Sequence, residues 1–226
     1  DPMEPYFDAN QQSDAIENPN PEHAKSRAET LCEMDALLTE DFVYEIWNHN
    51  RKLIPESLPV SLIREASATA LPKLRDASFH MIYVDGSHFF EDVLGDLREA
   101  QRLIKPGGII CGDDLELKRH QCNVEFAREH KHLDYPTDPI TQRQFHPGVT
   151  LAVDETFEDV SLYDGFWMVQ KTQNGFQPYY LDHYQKNIPS HFFGQVKDYY
   201  WDYTEKYFHQ ARSHPINGQL ATAVIG

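Results

Sequence analysis

The sequence predicts an α/β fold: a mostly parallel sheet flanked by helices, with an antiparallel hairpin at one edge. Three observations carry that expectation. The apolar runs Met81-Ile-Tyr-Val84 and Ile109-Ile-Cys111 are separated by a helical segment, and strand alternating with helix is the signature of parallel pairing. Two late runs, Val160-Ser-Leu-Tyr163 and Phe166-Trp-Met-Val169, are joined by a turn too short for a crossover, so they pair antiparallel. With 226 residues the chain suits one domain with embellishments better than two ordinary domains.

Each element follows from local pattern. Residues 1–26 are rich in Asn, Gln, Pro and acids, including Asn18-Pro-Asn-Pro21, and read as loop. From residue 28 to 54 the pattern is helical: Leu31, Met34, Leu37 and Leu38 recur at helical spacing, Phe42, Val43, Ile46 and Trp47 continue it, and Pro55 and Pro59 close it. Val60-Ser-Leu-Ile63 reads as a short strand, and a short helix starts at Ser67 and leads into Leu71-Pro-Lys-Leu74. After the strand at 81–84, residues 89–104 place Val93, Leu94, Leu97, Ala100, Leu103 and Ile104 on one helical face. Pro106-Gly107-Gly108 turns the chain into the next strand. Residues 115–146 are polar and His-rich, a surface segment overhanging the strand ends, and 148–157 reads as a helix.

The expected division is an α/β domain over 1–175, its first 30 residues loop-rich, and an aromatic-rich extension over 176–226. Residues 176–208 hold twelve of the chain's 28 aromatic residues. Val196, Tyr200, Tyr203 and Tyr207 fall at helical spacing, as a stripe packed on the domain or on a second copy of the chain would.

Charge and composition exclude several classes. Twenty Lys and Arg against 36 Asp and Glu give a formal charge of −16, with no basic run to meet a phosphate backbone, so no nucleic-acid partner is expected. No apolar run reaches the ~18 residues of a membrane span. Cys32, Cys111 and Cys122 form no CxxC pair, which suits reduced thiols in a cytoplasmic protein. There is no Gly-x-Ser-x-Gly elbow and no GxxxxGK[ST] phosphate loop.

The chemistry concentrates at two strand ends. Asp85-Gly-Ser-His88 follows one strand and Asp113-Asp114 follows the next, and ligands of open α/β sheets bind beyond the strands' carboxyl ends. Three clustered carboxylates call for a cation or protons to neutralise them, and a hard ion such as Mg²⁺ suits oxygen donors. A turn at Asp85-Gly86 and a cap at Asp113 or Asp114 account for the same residues equally well. His88, three residues after Asp85, is a candidate general base, as well as a helix-start residue facing solvent. The other histidines show no zinc-motif spacing; His146 alone, before Gly148, has a place bordering the crevice.

From residue 60 to 171 these motifs together resemble a class I S-adenosylmethionine-dependent methyltransferase. Val60-Ser-Leu-Ile-Arg-Glu-Ala-Ser67 with Leu71-Pro-Lys-Leu74 resembles the family's third strand and following helix. Asp85-Gly-Ser-His88 and Pro106-Gly-Gly-Ile-Ile-Cys-Gly-Asp-Asp114 resemble its fourth and fifth strand ends, and 148–154 with 166–171 its late helix and last strand. The nearest subgroups are the metal-dependent O-methyltransferases of catechol type and the related sugar and macrolide enzymes. Asp114, where the catechol type has Asn, leans toward the sugar-modifying branch. The resemblance implies a Rossmann-like fold, a Mg²⁺ site at Asp85, Asp113 and Asp114, and His88 as the deprotonating residue in place of a lysine. It implies S-adenosylmethionine held by Asp1, Ala66, Ser67 and Asp85, and a small-molecule hydroxyl as acceptor. A variant working without metal stays within the same fold.

One departure stands out. No first strand with a glycine-rich loop precedes the match, and Asp1 corresponds to the acid ending the family's second strand, so the fold reads as N-terminally incomplete. A longer gene product, another chain, or a different fold of residues 1–30 would each resolve this. A non-catalytic methyltransferase-like subunit that binds a protein partner is the alternative it favours.

Overall fold

The computed structural model describes residues 42–181, together with Gly194, Gln195 and Asp198. Its order is α1 (Phe42–Arg51), α2 (Ser67–Ala70), β1 (Phe79–Val84), α3 (Phe90–Leu103), β2 (Ile104–Leu115), α4 (Val124–Glu129), α5 (Pro147–Thr156), β3 (Ser161–Tyr163), β4 (Gly165–Thr172) and β5 (Gly175–Pro178). Single 3₁₀ turns at Leu71–Lys73 and Arg119–Gln121 follow α2 and β2. The α/β class and the antiparallel edge are present. β1 and β2 pair in parallel, and β4 runs antiparallel to β2, β3 and β5.

β2 is the strand that positions the site. The helix before it stops at Leu103 because Lys105-Pro106 cannot continue a helix. The register with β1 then slips: Phe79 faces Ile104 but Met81 faces Ile109, so β1 advances two residues while β2 advances five. The expected Pro106-Gly107-Gly108 turn is this bulge, with Gly107 at φ 79°, a conformation that glycine adopts without steric cost. Beyond it β2 runs regularly between β1 and β4 to Gly112, where the ladder with β4 breaks until Leu115 faces Gly165. Asp113 and Asp114 occupy the break.

One face of the sheet is covered. Val93, Leu94, Leu97 and Ala100 of α3 and Val149, Ala152 and Val153 of α5 close on Ile110, Leu115, Trp167 and Val169, all buried. Each of the Val, Leu and Ile side chains contributes roughly 1.5–3 kcal/mol by leaving water. Ile82 and Val84 of β1 pack against this core, while their neighbours Phe79, Met81 and Tyr83 point the other way and are exposed.

The chain between β2 and α5 has its own small core of Leu117, Cys122, Ala127 and Phe145. Asp138 is its polar hub. Its buried carboxylate accepts from the backbone N–H groups of Asn123 (2.7 Å), Ile140 (3.2 Å) and Thr141 (2.7 Å), and from the Thr141 hydroxyl (2.8 Å). Burial pushes the Asp138 carboxyl up, and these donors outweigh it, leaving it below the usual carboxylate range.

Several sequence expectations change. Residues 60–63 form no strand, and Val60 and Ile63 are exposed. A strand exists only by sharing a ladder, and among the described residues β1 pairs with β2 alone. The long helix expected over 28–54 is present as α1 from Phe42 to Arg51, with no residue buried; its earlier part lies outside the described residues. β5, unanticipated, carries the sheet to Pro178, past the expected boundary at 175. The aromatic stripe at Val196, Tyr200, Tyr203 and Tyr207 lies outside the described residues, as does Cys32. Cys111 and Cys122 are buried free thiols. Among the described residues no helix is long and apolar enough to cross a membrane.

Candidate functional site

The ends of β1 and β2 meet in a small crevice lined by Asp85, Gly86, His88, Asp113, Asp114 and Trp167. Topology brings them there. Parallel pairing sets Val84 beside Gly112, so the residues that follow, Asp85 on one strand and Asp113-Asp114 on the other, emerge side by side. Gly112 must be glycine for this: a Cβ would lie 2.7 Å from both Val84 O and the Trp167 ring.

His88 is the best-anchored member. Its Nε2 faces Asp114 Oδ2 at 3.2 Å, and its Nδ1 makes a short contact with Asp134 Oδ1. Burial alone would lower its pKa, but the two carboxylates outweigh that and raise it to about 10. The same contact, with His146 adding to it, holds Asp114 below the usual carboxylate range. For Asp134 burial works upward and the imidazole downward, and the imidazole prevails. Asp114 also has φ 63°, rare for a residue with a side chain and a mark of local constraint.

His146 is the neighbour that completes the cluster. It is 7% exposed, and its ring packs against His88 (centroids 4.2 Å apart) and stacks on Tyr135 (4.5 Å). Glu116 clamps it twice, accepting from the backbone N–H (3.1 Å) and facing Nδ1 (3.0 Å). His146 Nδ1 lies 3.8 Å from Asp114 Oδ1, and Nε2 lies 3.7 Å from Asp134 Oδ1. The start of α5 is pressed onto this group. A Cβ at Gly148 would come within 2.3 Å of His88 O and 2.7 Å of Phe90 N.

The two other predicted acids share the crevice without joining that cluster. Asp85 is exposed. Asp113 accepts the N–H of Asp114 (3.0 Å) through Oδ1 and the Tyr83 hydroxyl at 3.5 Å through Oδ2. Tyr83 registers the field of all three acids: burial, then Asp85, Asp113 and Asp114, push its hydroxyl up to about 12. Oxygen donors suit Mg²⁺ in kind. Their ligand atoms do not converge, however; among the described residues the group that does is His88, Asp114 and His146, within 4.8 Å of one another. As arranged, Asp85, Asp113 and Asp114 do not fit a Mg²⁺ cage.

The predicted cofactor residues lie on the β1 side. Ala66 is the exposed residue preceding α2. Ser67 lies close enough to Asp96 of α3 to offset part of the upward push that burial gives its carboxyl, and Asp96 Oδ2 lies 3.7 Å from where a Gly86 Cβ would be. Ser67, Asp96 and Gly86 thus form a polar edge leading to Asp85, which fits a polar ligand lying across the end of β1. Asp1 lies outside the described residues. A second hollow beside Lys118, Arg119 and Val160 has its charges already matched, Lys118 to Asp159 (2.7 Å) and Arg119 to Asp154 (2.8 Å).

Residues 13–115 match a family model described as a methyltransferase domain. The methyltransferase match takes in Ala66, Ser67, Asp85, His88, Asp113 and Asp114 and ends on the last residue of β2; Asp1 precedes it, and Glu116, Asp134 and His146 follow it. A curated relative, the uncharacterized protein y4gI of Sinorhizobium fredii, is 26% identical over 102 residues, 43% of this chain. The match spans about a tenth of that relative's length, 11%. A solved SAM-dependent methyltransferase from Methanosarcina mazei is 13% identical, with a TM-score of 0.33, over 55% of this chain and 75% of that one.

Asp134, Glu116 and His146 all arise from the polar stretch after β2. His146 had a sequence signal, its place before the α5 glycine. Asp134 and Glu116 had none, because their roles depend on how that stretch folds back over the strand ends.

Proposed function

We propose that the chain is a S-adenosylmethionine-dependent methyltransferase acting on a hydroxyl oxygen of a small molecule, of the sugar, macrolide or phenol class. The observation that carries this reading is His88, held at the meeting of two parallel strand ends between Asp114 and Asp134. S-adenosylmethionine, when bound, supplies an electrophilic methyl group on a sulfonium. The acceptor hydroxyl would give its proton to Nε2 of the neutral His88 ring, the imidazole nitrogen on the Asp114 side.

Asp134 fixes the ring through Nδ1, so Nε2 presents to the acceptor in one orientation. Ser67, Ala66 and Asp85 are the proposed contacts to the cofactor. Between two carboxylates His88 keeps its proton at neutral pH, so its work as a base begins when the acceptor draws Asp114 away or when the pH is high. The surrounding acids disfavour an anionic substrate and suit a neutral polyol or phenol.

Calorimetric titration with S-adenosylmethionine, followed by transfer of labelled methyl from it to a panel of sugars, macrolides and phenols, tests the proposal. Binding together with label in a hydroxyl acceptor, reduced about 10²–10⁴-fold in His88→Ala, is expected for the loss of a general base. No detectable cofactor binding would sink it. That outcome would favour the second reading, a non-catalytic methyltransferase-like subunit, for which the exposed Phe79, Met81 and Tyr83 on β1 speak.

A further inference from the structure

We infer that His88, Asp114 and His146 form a site for a divalent transition-metal ion of borderline softness, such as Mn²⁺, Fe²⁺, Co²⁺ or Zn²⁺, with Asp134 and Glu116 orienting the two imidazoles. The inference rests on the geometry of the cluster and is independent of the methyl-transfer reading.

Four observations support it. One ligand atom from each of the three residues lies within 4.8 Å of the others. Closing on an ion at about 2.1 Å asks for side-chain movements of roughly an ångström. Two imidazoles and one carboxylate are the donor set of borderline transition metals, whereas Mg²⁺ prefers oxygen alone.

The outer groups are the second observation. Nδ1 of His88 is taken by Asp134 and Nδ1 of His146 by Glu116. Metal-ligating histidines are commonly held this way, the second nitrogen bound to a carboxylate that fixes tautomer and ring angle. Nε2 of His88 faces Asp114, and Nε2 of His146 lies 3.7 Å from its nearest carboxylate oxygen, outside hydrogen-bond range.

Charge is the third. Asp114, Asp134 and Glu116 surround two rings, with Asp85 and Asp113 lining the crevice beside them. A divalent ion neutralises much of that excess.

Rigidity is the fourth. His146 is buried at the first residue before α5 and clamped by backbone as well as ring, and Asp114 sits at a constrained φ of 63°. A site held on such elements loses little freedom on binding.

The test is titration of the metal-free full chain with Co²⁺, read by calorimetry and by visible absorption, with Mg²⁺ in parallel. One Co²⁺ per chain is expected, bound at least about 100-fold more tightly than Mg²⁺. His146→Gln and Asp114→Asn should each weaken it more than tenfold, and Asp134→Asn and Glu116→Gln by about 10–100-fold, the range for outer partners.

Ring proton resonances of His88 and His146 in the wild-type chain give a readout that needs no variant to fold. They should be shifted by one equivalent of Co²⁺ while His80 and His120 are not. Unshifted rings would overturn the inference, as would Co²⁺ affinity that survives His146→Gln but is lost in Asp85→Asn and Asp113→Asn. Cofactor titration on the same sample keeps the two proposals apart: Co²⁺ binding without cofactor binding upholds this site and defeats the methyl-transfer reading, and the converse result does the reverse.

Discussion

Protonated His88 presents one N–H to Asp114 and the other to Asp134, and that makes its contribution to stability depend on pH in a definite direction. Its pKa is about 10 in the folded chain against an ordinary 6.5. The contribution is therefore complete below pH 6.5 and is lost as pH rises from 6.5 through about 10. Asp114 and Asp134 are lowered, so their share is present above the usual carboxylate range and disappears as pH falls below it. The stability difference between the wild type and His88→Gln, measured by thermal unfolding in metal-free buffer, should be greatest between about pH 5 and 6.5 and shrink steadily toward pH 10. A difference that grows with pH would show that the two carboxylates do not hold the proton. Under the proposed chemistry, metal-free methyl transfer rises over the same alkaline range. Asp134→Asn should lower kcat more than KM, since Asp134 touches the ring and not the acceptor.

At the scale of elements, the crevice depends on two close approaches and one polar hub. α5 reaches the His88 backbone only because residue 148 has no side chain, its Cβ position being 2.3 Å from His88 O. Gly148→Ala must push α5 off the 88–90 segment, at about 1–3 kcal/mol of overpacking, and it should separate His146 from His88. Urea unfolding measures the first effect and the loss of Co²⁺ binding the second. Asp138→Ala is expected to cost about 2–4 kcal/mol, because four donors lose a buried charged acceptor. As the hub of the segment that carries Asp134, it should also weaken the site. Asp138→Asn, which keeps an oxygen, should be milder in both respects.

At the scale of the molecule, a net charge of −16 sets the chain against itself. Raising NaCl from about 20 to 500 mM should raise the melting temperature by several degrees, since salt at that strength screens beyond a few ångströms; a fall would mean that surface ion pairs outweigh the repulsion. What could be read from the sequence divides along the same line between local and long-range effects. α3, β1, β2 and the late hairpin were legible because each is fixed by its own periodicity and punctuation, with Val93, Leu94 and Leu97 on one face and Pro106-Gly107-Gly108 before a strand. The meeting of Asp85, His88 and the Asp113-Asp114 pair was legible because parallel pairing follows from that order. Residues 60–63 misled because Val and Ile favour strands only where a ladder exists. Asp134 and Glu116 were invisible because sequence spacing does not record which way a 30-residue excursion folds back.

The break in the β2–β4 ladder has a dynamic consequence. Between Gly112 and Leu115 the backbone of β2 is held by side chains instead of a neighbouring strand: the Trp167 indole donates to Asp113 O (3.2 Å), and Asp113 Oδ1 receives the Asp114 N–H (3.0 Å). The amides of Asp113 and Asp114 should therefore exchange with deuterium faster than those of Ile110 and Cys111 on the same strand. Aiming of the acid pair is thus delegated to a residue on another strand. Trp167→Phe should loosen Asp114 while the rest of β2 keeps its protection, a way to retune the crevice without altering any residue that titrates in it.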